Sequence, residues 1–201
     1  MRSKTTWLSG LLLAGIITTG FCCYSCQSPD KETSYNSVSN NAIYRTALQL
    51  AGDVTWVYDP GYYQISYPNG DVPSGGACTD VVIRVLRKNG MDLQQLIHED
   101  MNKDFSAYPN KWGLTRPDPN IDHRRVPNMM TYFRRMNYDL PVSTNINDYK
   151  PGDIICWELS PGITHIGILL DGTRVFHNIG PTSRIDNDFL FKYSIIGHYR
   201  I

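Results

Sequence analysis

Cys78, His165 and His177 have the types needed for nucleophilic chemistry: a thiol, an imidazole to take its proton, and a second imidazole to orient the first. Cys78 ends a Gly- and Pro-rich loop that starts at Tyr67. It opens the stripe Cys78, Val81, Val82, Val85 and Leu86, which has helical spacing. At a helix start the unpaired backbone N–H groups and the dipole favour a thiolate, and the same N–H groups can hold an oxyanion. Asp80 in that first turn opposes the thiolate by its charge. Taken alone, a cysteine in this place is more often a packing residue, so the weight falls on the histidines.

His165 opens an apolar run, and Gly167 two positions on leaves that face of the strand bare for another element. His177 follows across a turn, and one residue of register decides what stands opposite His165. A three-residue loop, Leu170-Asp171-Gly172, puts His177 there, on the same face. A two-residue Asp171-Gly172 loop puts Asn178 there and turns His177 away. Cys156, between Ile155 and Trp157, reads as core, and His198 as a structural strand residue. Arg124 and Arg125 could clamp a substrate carboxylate with arginine's fork geometry; the plain alternative is a salt-bridged surface loop.

Around these residues the pattern predicts helices first and strands second. Helices are expected over 42–51 (Asn40 or Asn41 as cap, Gly52 as stop), 78–89, from the Asp92/Gln95 capping box to about 105, and 127–136. Residues 55–67 read as extended segments broken at Pro60-Gly61, and 106–127 as a Pro-rich loop. Strands are expected over 154–159, 165–170, 173–179 and 194–200. That order implies an α+β fold, with N-terminal helices packed on an antiparallel sheet.

The first 25 residues have the form of a signal peptide: Arg2 and Lys4, then an apolar run over 8–21. Ser25-Cys26 resembles the end of a bacterial lipobox, which makes Cys26 a candidate for lipidation. Residues 26–40 then read as a lipidated cysteine and flexible tether, and 41–201 as the folded domain. The chain holds 19 Lys+Arg and 19 Asp+Glu, so it lacks the basic excess of a nucleic-acid binder. Five cysteines are too few and too unevenly placed for a disulfide scaffold or a zinc framework.

The order of Tyr-x-x-Gly loop, Cys at a helix start, Pro-Gly-Asp strand, His165-x-Gly-Ile and a second histidine twelve residues on resembles the NlpC/P60 family of papain-like cysteine peptidases. More narrowly, the runs at Cys78-Thr-Asp-Val-Val-Ile, His98-Glu-Asp-Met, Asn120-Ile-Asp-His-Arg-Arg-Val-Pro-Asn and Gly197-His-Tyr-Arg resemble an uncharacterised bacterial envelope family related to it. The resemblance implies a papain-like core, cleavage of peptidoglycan stem peptides, Cys78 as nucleophile, His165 as base, His177 as orienter, and Tyr67 lining the site. It needs no cofactor and no metal. It also favours the odd hairpin loop that keeps both histidines on one face.

This chain departs from the family in having Ala77-Cys78-Thr79-Asp80 in place of Asp-Cys-Ser-Gly. It also carries an insertion over 92–136, expected to border the substrate groove with Arg124 and Arg125. Localisation would be the cell envelope, with a lipid anchor in a membrane. Two rival readings stand beside this one: a non-catalytic binding lipoprotein, and a metal hydrolase collecting His165, His177, His198 and an acid such as Asp122.

Overall fold

The computed structural model describes residues 38–201. The signal peptide over 1–25, Cys26 and the tether up to residue 37 lie outside the described residues. The helices are α1 (Asn40–Asp53), α2 (Cys78–Lys88), α3 (Leu93–Lys103) and α4 (Val126–Arg135), joined by short 3-10 turns. The strands follow as β1 (Ile154–Ser160), β2 (Ile163–Leu169), β3 (Val175–Asn178), β4 (Ser183–Asp186) and β5 (Ser194–Tyr199). They form one antiparallel sheet in the order β4-β3-β2-β1-β5. The α+β arrangement expected from the pattern is the one observed.

Local chemistry explains most boundaries. Ser39 caps α1 by accepting the Ala42 N–H. The helix therefore starts at Asn40, inside the stretch read as tether. Asn40 belongs to the fold, donating to Asp153 Oδ1 at 2.7 Å and to Pro151 O at 3.1 Å. Asp92 caps α3 through the Gln94 N–H, but Gln95 turns to Glu99 instead of back to the cap, so the expected capping box is only half made. Pro127 stands in the first turn of α4, where its missing N–H costs nothing.

The sheet is buried on both faces. Cys156, Ile166, Ile168, Phe176 and Tyr199 pack with the apolar stripes of α1, α2 and α4. Ile155, Trp157, Leu169 and Val175 on the other face are covered by Phe189 and Leu190, and Trp157 Nε1 donates to Leu190 O at 2.8 Å. The Pro-Gly-Asp turn is fixed by Asp153, which is fully buried. Burial alone would raise its carboxyl, yet hydrogen bonds from His198, Arg200, the Lys150 N–H and Asn40 hold it down at about 2. His198 is thus tied to Asp153 at 2.7 Å and stacked on Tyr149, in the structural role expected of it.

Candidate active site

Cys78 is the first residue of α2, buried between that helix and β2. The backbone amides of Ile166, Thr79 and Cys78 itself are near enough to pull its pKa down. Ile166 immediately follows His165, and the β2–β3 ladder stops short of it, at Ile168↔Phe176. The thiol therefore meets β2 at its backbone, one residue from the histidine. Burial pushes the thiol up to about 11 and Asp80 adds to this, against the pull of those N–H groups. The helix-start effect expected to favour a thiolate is present, but burial outweighs it. Cys78 and Cys156 are both free.

The histidines meet on the opposite side of that strand, over Trp157 and Phe189. Leu169 pairs with Val175, and the Leu170 N–H donates to Arg174 O, so the loop is Asp171-Gly172-Thr173 with Gly172 at φ 55°. It is odd, as expected, but lies one residue later than the Leu170–Gly172 loop. His177 accordingly shares a face with His165 while falling beside Gly167 instead of directly opposite His165. A Cβ on Gly167 would stand 3.0 Å from His177 Cβ and 2.8 Å from Val175 Cγ1, so the glycine makes the room.

His165 Nε2 and His177 Nδ1 are 2.8 Å apart, and His177 Nε2 lies 3.1 Å from Asp186 Oδ2. Arg184 Nε donates to the other Asp186 oxygen at 2.8 Å. Burial lowers His165 to about 3, with the charges of His177 and Arg184 adding to it, and burial lowers His177 to about 4 against the pull of Asp186. Both rings are neutral near pH 7. Asn178, the other candidate orienter, points elsewhere: its Nδ2 donates to Gly76 O at 2.7 Å and to Trp56 O at 3.1 Å, pinning the loop that leads to Cys78.

The remaining expectations need correction. Arg124 is buried inside the fold. Its guanidinium grips both oxygens of Asp80 and donates to Gly61 O and Asp59 O. Asp80 in turn accepts the Ala77 N–H at 2.6 Å, so the pair fixes the first turn of α2. Arg125 is half-hidden too, bonded to Asp122 at 3.2 Å and lying over the Trp112 ring. Neither guanidinium is a free carboxylate reader, and the insertion over 92–136 braces the thiol's turn through Arg124. Tyr67 stacks edge-on against His98. The tyrosine that feels the charges of Cys78 and Asp80 is Tyr58, whose backbone bridges Gly76.

Asp186 and Tyr58 were not anticipated. The alternation Ser183-Arg184-Ile185-Asp186 is a usable strand signal, but it is short and polar and follows Gly180-Pro181. Asp122, proposed as a metal ligand, accepts the Asp118 N–H and pairs with Arg125, while His198 is held by Asp153; neither joins the His165–His177 pair.

The fold and site thus define an α+β domain with a buried helix-start cysteine on one face of β2 and a His–His–Asp chain on the other. Residues 45–201 match the family described as a domain of unknown function, DUF1287, and the chain belongs to that family. It is 46% identical over 194 residues to the uncharacterized protein YijF of Escherichia coli (strain K12), covering 92% of this chain and 94% of that protein. Among solved structures it is similar to a Staphylococcus aureus protein described as similar to lipoprotein, NLP/P60 family, with TM-score 0.41 and 15% identity over 87% of this chain. NlpC2 from Trichomonas vaginalis gives TM-score 0.43 and 13% identity over 79% of this chain. The chain spans 45% and 46% of those two structures.

Proposed function

We propose that this domain is a cell-envelope cysteine hydrolase that cuts an amide bond in peptidoglycan stem peptides, with Cys78 as nucleophile, His165 as base and His177 as orienter. The observation that carries this reading is a pair of hydrogen-bonded imidazoles, His165 and His177, on the strand against which the helix-start cysteine packs from the other face. In this mechanism His165, which in the resting fold lies on the opposite face of β2 from the sulfur, must be brought to the thiol, and it then takes the proton as sulfur attacks the carbonyl carbon. The oxyanion faces the Cys78 and Thr79 N–H groups at the start of α2. The amine departs with the proton from His165, and water then hydrolyses the thioester. With thiol and imidazole both neutral at rest, proton transfer accompanies attack instead of preceding it. The lipid anchor at Cys26 and the envelope location belong to the same reading.

The test is incubation of the purified domain with digested cell wall, products being read by mass spectrometry, against Cys78→Ser. Turnover that disappears in Cys78→Ser supports the mechanism; turnover that survives the substitution refutes it. A second reading is favoured by one observation: the thiol raised to about 11 is not primed for attack. In that reading the same cleft binds muropeptides without cutting them, and the same experiment would give retention without products.

A further inference from the structure

Asp186 lies at the end of β4, and its carboxylate is the only group that bonds His177 Nε2 among the described residues. An ionised carboxylate has no proton to give. Hydrogen bonds from Arg184, to Oδ1, and from His177 overcome the effect of burial and hold Asp186 below the usual carboxylate range. Arg184 is itself anchored on Gly180 O and Thr182 O. The proton in the Asp186–His177 bond therefore sits on His177 Nε2.

The consequence passes along the chain. A neutral His177 with its proton on Nε2 has a bare Nδ1, which can only accept. The 2.8 Å bond to His165 then requires the proton on His165 Nε2. That leaves Nδ1 as the lone pair of His165. We propose that Asp186 is a positioning residue that fixes the tautomers of both imidazoles, reserving His165 Nδ1 as the proton acceptor of this site. The role in catalysis rests on the hydrolase reading above; the tautomers do not.

The groups facing the two rings are Trp157 from β1, Arg184 and Asp186 from β4, and Phe189 and Lys192 from the segment before β5. Of these, only Asp186 is a proton acceptor. Asp186→Asn keeps the shape but offers an amide N–H, which can drive the protons of both rings from Nε2 to Nδ1.

The experiment is 15N NMR of the domain with labelled histidine at pH 7, for wild type and Asp186→Asn. The wild type is expected to give protonated-type Nε2 and bare-type Nδ1 signals for both His165 and His177. Asp186→Asn should reverse or mix both pairs and lower kcat at least tenfold with KM little changed, and Asp186→Glu should restore part of each. A wild-type spectrum with protonated Nδ1 on either ring overturns the proposal, even if the variant does not fold. So does a variant spectrum identical to wild type. The expected spectra in a protein that never turns over muropeptides would support the tautomer assignment and sink the hydrolase reading alone.

Discussion

Replacing Arg124 with methionine should cost the fold several kcal/mol. The side chains of Arg124 and Asp80 are 2% and 3% exposed, and the guanidinium reaches both carboxylate oxygens, at 2.9 and 3.0 Å. Methionine fills much of the same space with no donor. Asp80 would keep only the Ala77 N–H, and the carbonyls of Gly61 and Asp59 would lose a partner. Removing one member of a buried ion pair costs about 3–5 kcal/mol because the other charge stays buried. In a domain of this size each kcal/mol moves Tm by about 2–4 °C, so Tm should fall by about 10 °C. The assay is thermal denaturation of wild type, Arg124→Met, and the double variant Arg124→Met/Asp80→Asn, in which the stranded charge is gone and more than half the loss should return. Because the pair holds the thiol's turn, iodoacetamide should alkylate Cys78 faster in the single variant. A fall in Tm below about 3 °C, together with a raised KM for acidic peptides only, would refute this reasoning and return Arg124 to substrate recognition.

Three further outcomes follow from the same geometry. His123, His165 and His177 are held at about 3, 3 and 4, chiefly by burial, so below pH 6.5 the unfolded chain takes up protons that the folded one does not. Stability should therefore decline as pH falls from 6.5 towards 4, by about 1.4 kcal/mol per pH unit per histidine; urea midpoints at pH 7, 6 and 5 test this, and a flat profile contradicts it. Gly167→Ala should destabilise by about 1–3 kcal/mol through overpacking against Val175 and His177, and cut activity further than that loss explains; an unchanged denaturation midpoint would show that the strand simply yields. His177→Ala should abolish turnover, whereas Asn178→Ala, which takes one of two hydrogen-bond partners from each of Gly76 O and Trp56 O, should lower Tm by a few degrees and leave most turnover; the reverse ranking in turnover would make Asn178 the orienter.

What could be read from the sequence was whatever depends on neighbours a few residues apart. The stripe from Cys78 to Leu86 marks a helix because burial repeats every three or four residues. The start of α3 is marked by Asp92. The parity of the His165–His177 hairpin was legible for a similar reason, since alternation ties face to loop length. The actual pairing was not, because Asp171-Gly172 is compatible with loops of several lengths and only the packing of His177 over Gly167 selects one. β4 went unseen since a single apolar residue, Ile185, among three polar ones after Gly180-Pro181 is too short an alternation to mark a strand, and Asp186 went with it.

The charged residues were harder still, because a sequence displays a charge without its partner. Asp80 counts against a thiolate when considered with Cys78 alone. Its partner, Arg124, comes 44 residues later, on a segment that reads as an exposed insertion. Once the two meet in the interior, Asp80 has its charge matched and its oxygen on the Ala77 N–H, so it shapes the turn that presents the thiol. The same contact reverses the reading of Arg124, from a group offered to a substrate to one held by the protein. A single long-range ion pair thus changes the role of both residues, and it explains how a turn lacking the Asp-Cys-Ser-Gly pattern can still hold a cysteine against Ile166: the insertion supplies from outside the helix the bracing that the local residues do not.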